Sequence, residues 1–264
     1  MTDRGQTAAV VPGPLVADAE IPPWLRTLTG NVTAVSDSVN NRGGDRTRIA
    51  MMLRGGRRRA AAVLVLFAGG WDFDPTYPGG LPADAEVLLL QRASSLRQHS
   101  GQVAFPGGAH DEGESFPVQT ALREATEETA LDASAVKVLA ALPSFPVPPS
   151  GFDVVPVIGY WHAPGEVYAV DAGETALVAR VNLRELLSSE NRFQVQRKVM
   201  GGSVYKGPAF MVDGLLVWGF TGGLLAAISD AAGWDVPWDH ADVRPLEDAI
   251  AAAARSADVE GHPR

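Results

Sequence analysis

The apolar and polar positions of the chain fall into two alternating periods. Ala60–Phe67 is an unbroken apolar run, the pattern of a strand buried on both faces. Glu86–Arg92 (EVLLLQR) predicts the next strand and Gln102–Phe105 another. Pro117–Ala130 switches to helical spacing, and Val136–Leu142 and Val154–Tyr160 return to strand-like runs. Ala176–Val181 reads as a strand, followed by a helical turn over Leu183–Ser188. Phe210–Val212 and Leu215–Trp218 flank Asp213-Gly214, a strong hairpin turn pair. Gly222–Ala232 and Leu246–Ala257 predict helices near the end. Gly69–Asp84, rich in Gly, Pro and Asp, reads as a loop. Val32–Asn40 fits a short helix and an extended segment equally.

No internal repeat and no linker separates two cores, so these elements predict one mixed α/β domain. Residues 1–25, weakly periodic and rich in Gly, Pro, Ala and Thr, read as a flexible tail. The folded domain is expected over 26–245, with a C-terminal helix or tail over 246–264. At 46% hydrophobic and 20% charged residues, the chain has enough apolar material for a true core. The net charge of −9 argues against a general nucleic-acid binder, which carries the opposite balance. Met1–Gly13 lacks the apolar core of a secretory signal. The apolar runs, Ala60–Ala68 and that around Leu224–Ile228, fall short of the ~20 residues that span a bilayer. A soluble cytoplasmic protein with no membrane partner is expected. With no cysteine, thiolate nucleophiles and Cys-based metal sites are excluded, and any metal must sit on carboxylates, His or backbone oxygen.

The chemistry concentrates in Phe105–Leu131. Pro117 suits a first helical turn and Ser115 an N-cap. Val118, Leu122, Ala125 and Thr129 share an arc fit to pack on a sheet, while Glu124, Glu127 and Glu128 share another. Like charges at this spacing destabilise a helix, and acids near its C-terminal end oppose its dipole. Two readings offset that cost: a solvated face eased by Arg123, or divalent cations held by the carboxylates. Gly107-Gly108 allows a tight turn whose carbonyl would join such a site, and Asp111, Glu112 and Glu114 add acid close by.

This segment resembles the Nudix box, G-x5-E-x7-R-E-U-x-E-E-x-G-U with U apolar. Gly108, Glu114, Arg123, Glu124, Ala125, Glu127, Glu128 and Leu131 stand in its roles. Eight residues rather than seven separate Glu114 from Arg123, and Ala130 stands where the box has Gly. The longer spacing is similar to one branch, the coenzyme A diphosphatases. That branch also carries LLxxRSxxLRxHxGQVxFPGG, matched here from Leu88-Leu89 to Gly107-Gly108 with Ala93 in place of Ser. Weaker likeness runs through Val154–Gly159, Gly207-Pro208-Ala209-Phe210 and Val217-Trp218-Gly219.

The resemblance implies an α/β/α sandwich with a mixed central sheet and a loop–helix–loop box. It implies hydrolysis of the diphosphate of coenzyme A or an acyl-CoA, giving adenosine 3′,5′-bisphosphate and (acyl-)4′-phosphopantetheine, with Mg2+ or Mn2+. Glu124 and Glu128 would be the principal metal ligands, with Glu127 sharing a metal or orienting water. Arg123 would pair with Glu114 and brace the loop, and a carbonyl of Gly107 or Gly108 would complete the coordination. Glu124, Glu127 and, from a later loop, Glu174 are candidate proton acceptors. Arg92, Arg97 and His99 of the upstream motif suit a phosphate-rich substrate, with surface pairing or loop capping the plainer reading. Two alternatives remain: hydrolysis of ADP-ribose, a nucleotide sugar or a dinucleotide, and a catalytically silent nucleotide-sensing module. A homodimer is left open.

Outside these motifs the expectations are structural. Arg57-Arg58-Arg59 reads as a solvated turn ahead of a phosphate-facing role. Arg192, Arg197 and Lys198 read as a solvated face. Trp71, Phe73, Tyr77 and Phe145 would stack on adenine or simply pack. His110 and His162 have no metal-ligand spacing.

Overall fold

A computed structural model describes residues 11–42, 58–95, 100–147, 150–198, 202 and 204–259. Among these the main sheet runs β1 (Gly13–Pro14), β6 (Val136–Ala141), β8 (Phe152–Trp161), β2 (Arg59–Ala68), β3 (Glu86–Arg92), β4 (Val103–Ala104). Three further strands join it: β5 (Gly107–Ala109) on β2, β7 (Phe145–Val147) on β8, and β9 (Thr175–Asn182) on β3. β2 pairs with β8 in parallel while β3 and β5 pair with β2 antiparallel, so the sheet is mixed.

The apolar run of β2 is explained by its two faces. Val65 and Phe67 point into one core with Val87 and Leu89 of β3. That core is closed by α1 (Pro23–Gly30), α2 (Val32–Arg42) and α5 (Gly219–Ala232). Leu64 and Leu66 point the other way, with Leu88, onto Ala121 and Ala125 of α3 (Val118–Thr129). Successive strand residues face opposite sides, so a strand between two helical layers must be apolar throughout. The expected α/β/α sandwich is the architecture found.

A second sheet, β12 (Leu215–Val217), β11 (Val204–Val212), β10 (Arg192–Lys198) and β13 (Val243–Pro245), carries a small core of its own. Asp213-Gly214 makes the expected hairpin, both residues at positive φ. Val32–Asn40 belongs to the helix α2, and Leu183–Leu186 (α4) is the expected helical turn. None of the described helices is long and apolar enough to cross a membrane.

Three expectations are corrected. The tail does not extend to residue 25: Gly13–Pro14 pairs with β6, and Ile21, Trp24 and Leu25 are buried in the main core, where Trp24 packs on Trp234 and Phe67. The boundary at 245 and 246 cuts through a packed unit, because α6 (Leu246–Val259) buries Leu246 and Ala249 against Phe193 and Val195. Residues 192–198 are a strand, and Arg192 does not belong to a solvated face. Arg192 is buried, bonded to Asp235 at 2.6 Å and set against the rings of Phe210 and Trp238. Arg197 and Lys198, farther along the strand, are exposed as expected.

Candidate active site

β5 sets the geometry of the site. Gly107 and Gly108 lie against Val63 and Ala62 of β2. A Cβ on Gly107 would stand 2.4 Å from the Ala62 carbonyl oxygen, and one on Gly108 would stand 2.5 Å from the Glu124 carboxyl. Only glycine lets the strand and the helix carboxylates approach this closely.

α3 faces the sheet with small residues. Ala121, Ala125, Thr120 and Thr129 are buried, whereas Val118 and Leu122, expected on the packing arc, are only half-buried at its rim. Ser115 does not cap the helix through its hydroxyl. Its backbone N–H instead donates to Gln119 Oε1 at 2.9 Å. The chain leaves the helix at Ala130, whose left-handed backbone (φ 56°, ψ 22°) explains why the box favours glycine there.

Arg123 is the hub of the acidic residues. Its Nε donates to Glu114 Oε1 at 2.5 Å, Nη1 to Glu127 Oε2 at 2.7 Å, and Nη2 to Glu124 Oε1 at 2.8 Å and the Ala109 carbonyl at 3.1 Å. Glu114 also accepts from the Thr120 hydroxyl at 2.6 Å and the Asp111 N–H at 3.1 Å. The Arg123 and Thr120 hydrogen bonds hold its carboxyl down at about 2, against the ordinary 4.5.

Glu128 stands in the opposite environment. Its side chain is 12% exposed and its Oε2 accepts the Gly107 N–H at 2.9 Å. Burial pushes its carboxyl up to about 7, and the negative charges of Glu124 and Glu174 push the same way. The Glu124 carboxyl is raised too, first by burial, with Arg123 pulling against it. Glu127 is 58% exposed and held by Arg123.

The upstream motif converges on this helix. Arg92, at the end of β3, brings Nη1 to 4.0 Å from Glu128 Oε1, and its buried Nε has no hydrogen-bond partner among the described residues. Glu174 precedes β9 on a turn fixed by Asp171, and its carbonyl accepts the Ala93 N–H at 2.8 Å. The structure thus brings Arg92, Gly107, Gly108, Glu114, Arg123, Glu124, Glu127, Glu128 and Glu174 to one end of the sheet. Arg97 and His99 lie outside the described residues.

Among the described residues, no group of three or more His, Asp or Glu side chains is gathered tightly enough to hold a metal ion. The expected three-carboxylate cluster is divided because Arg123 takes Glu127 and one oxygen of Glu124, while Glu128 turns to Gly107. The donor chemistry nevertheless fits a hard cation. Glu124 and Glu128 are two partly buried oxygen donors; Arg123 pairs one oxygen of Glu124, while Glu128 is repelled by Glu124 and has only the distant Arg92 as counter-charge.

The aromatic candidates lie elsewhere. Trp71, Phe73 and Tyr77 belong to the loop leaving the far end of β2, where Trp71 meets Tyr160 and Tyr77 lies under Arg184. Phe145 is buried in the main core. Arg58 pairs with Asp153 at 3.1 Å and Arg59 stacks on Phe152, so these two arginines are anchored to β8, while Arg57 lies outside the described residues. Two participants escape a reading of the sequence, Thr120 and His110. A polar residue on the buried arc of α3 was the signal for the first. His110 was considered only as a metal ligand, and it stands instead 3.3 Å from Thr120.

A NUDIX domain family model matches residues 78–200. The chain is 35% identical over 173 residues to an uncharacterized Nudix hydrolase, NudL, of Citrobacter koseri, covering 65% of this chain and 82% of the relative. It is 36% identical over 146 residues to the NudL of Cronobacter sakazakii, covering 54% and 73%. Among solved structures it is similar to a Nudix hydrolase of M. smegmatis, RenU, at 29% identity and a TM-score of 0.38, covering 49% of this chain and 73% of that one.

Proposed function

The chain belongs to the Nudix hydrolase family, and from that premise we propose that it is a coenzyme A diphosphatase. It would cleave coenzyme A or an acyl-CoA to adenosine 3′,5′-bisphosphate and (acyl-)4′-phosphopantetheine. Water adds to one phosphorus of the diphosphate, the bond from that phosphorus to the bridging oxygen breaks, and the proton of the water passes to a carboxylate. The observation that carries this reading is the convergence of the two sequence motifs. Arg92 of the upstream motif, with a buried Nε that has no partner among the described residues, lies 4.0 Å from Glu128 of the box.

Nudix hydrolases generally use divalent metal ions such as Mg2+ or Mn2+. Glu124 and Glu128 would hold the ion here, with Glu127 sharing it or orienting water and a carbonyl of Gly107 or Gly108 beside it. When bound, such an ion supplies Lewis-acid neutralisation of phosphoryl charge. The protein supplies the rest. Arg123 and Glu114 clamp the loop to the helix. Arg92, Arg97 and His99 would meet phosphate oxygens, where bidentate donors suit a dianion. Glu174, set by the Asp171 turn near Glu128, is with Glu124 and Glu127 a candidate to accept the proton of the attacking water.

The partner is therefore a nucleotide-type small molecule, and the excess of acid argues against nucleic acid. The test is to incubate the protein with coenzyme A and Mg2+ or Mn2+ and separate the products. The two phosphomonoesters named above are expected. Turnover of ADP-ribose or a dinucleotide without turnover of coenzyme A would overturn the substrate. Nucleotide binding with no hydrolysis of any diphosphate would overturn the activity.

A further inference from the structure

Thr120 is fully buried on the sheet side of α3, and nothing in the proposed reaction uses it. Its hydroxyl is committed in two directions. It donates to Glu114 Oε2 at 2.6 Å, and the His110 Nδ1 lies 3.3 Å from the Thr120 Oγ1 and 3.6 Å from that Glu114 oxygen. Because the hydroxyl has one proton and Glu114 takes it, the His110 Nδ1–H is the donor to the threonine oxygen. His110 is itself tied down. Its backbone N–H donates to the Ala60 carbonyl of β2, and its ring packs on Phe116. A connected chain thus runs from β2 through His110, Thr120 and Glu114 to Arg123, and from Arg123 to Glu124 and Glu127.

We propose that Thr120, supported by His110, is a positioning residue for the carboxylates of the box. Two of the three donors to Glu114 are side chains, Thr120 and Arg123, and the third is the Asp111 N–H. Without the hydroxyl, Oε2 keeps the Asp111 N–H at 3.1 Å and only the looser approach of His110 Nδ1 at 3.6 Å, and the carboxylate can rotate away from Arg123. The guanidinium then loses its deepest anchor and swings with Glu127 toward solvent. Glu124, bonded to the same guanidinium, loses the contact that aims it at Gly108. Thr120 touches none of the reacting atoms. It acts by making one rotamer of Glu114, and hence one orientation of Arg123, the rule.

The test compares Thr120→Val, Thr120→Ser and Thr129→Val. Thr129→Val removes another fully buried hydroxyl from the same helix, one that donates only to the Ala125 carbonyl. Solvent exchange of the Arg123 Nε–H is followed by 15N NMR, the signal being assigned by its loss in Arg123→Lys. Exchange roughly tenfold faster is expected in Thr120→Val, with near-native exchange in Thr120→Ser and Thr129→Val. The turnover arm rests on the diphosphatase reading. In it, Thr120→Val lowers kcat about tenfold with KM unchanged, and Thr120→Ser restores it. Native Arg123 exchange in Thr120→Val overturns the proposal, as does an equal change in Thr129→Val, which would reduce Thr120 to generic packing. A protein that hydrolyses no diphosphate overturns the function and leaves the exchange measurement to decide the positioning.

Discussion

Glu114 and Glu128 lie at the two ends of the same short segment, and both have largely buried side chains. Their carboxyls are driven in opposite directions, Glu114 to about 2 and Glu128 to about 7. The difference is in their partners. Glu114 meets an arginine, a hydroxyl and a backbone N–H, so its charge is compensated where it is buried. Glu128 has one backbone N–H and an arginine at 4.0 Å, and two further carboxylates repel it. Burial without compensation favours the neutral form. One carboxylate is therefore a latch within the fold, and the other is buried with its charge only partly compensated. On the function proposed above, that contrast separates a bracing residue from a metal-binding one.

The sharpest way to break the comparison is Glu128→Gln. Hydrolysis of coenzyme A should fall by about 100-fold or more, with the circular dichroism spectrum and cooperative unfolding unchanged. Near-native turnover would remove Glu128 from the binding role.

A smaller effect is readable as stability of the metal-free protein against pH. Glu128 binds its proton more tightly folded than unfolded, so stability should fall as pH rises from about 4.5 to about 7 and level off above that. The full loss is about 3 kcal/mol at most, and it should vanish in Glu128→Gln. Glu114 acts with the opposite sign. Its contribution is present above about 4.5 and is lost as pH falls toward about 2. Urea unfolding across pH 3 to 8 should therefore show a maximum near the ordinary carboxylate pKa. A curve still rising through pH 7 would contradict the environment assigned to Glu128.

The smallest effect concerns the end of the helix that joins these residues. Ala130 occupies a left-handed conformation that disfavours a side chain. Ala130→Gly should stabilise the protein by about 0.5–1 kcal/mol. Thermal unfolding checks this, and a lower midpoint would show that the methyl group packs usefully.

Periodicity made much of the fold legible. β2 and β3 declared themselves because a strand between two helical layers must be apolar on both faces, and α3 because its charged and small residues separate at helical spacing. The N-terminal segment reads as a tail in sequence since a short run around Trp24 carries little pattern, although it fills a gap beside Phe67 and Trp234. The burial of Arg192 is not legible in sequence because an arginine there says nothing of the Asp235 and aromatic rings that bury it. In the site, the box residues could be named in advance. Their unequal roles could not, because Thr120 and Glu128 owe theirs to neighbours distant along the chain or across the sheet.

By itself the sequence determined where the candidate chemistry lies: the glycine pair, the arginine and the spaced glutamates are local properties of one segment. Only the tertiary structure decided how that acid is divided. It set Arg123 between Glu114, Glu124 and Glu127, and it buried Glu128 against the Gly107 N–H with no full counter-charge. The physical reason is that the proton affinity of a carboxylate depends on how much water it has lost and which donors replace it, and both are properties of the packed molecule rather than of the chain.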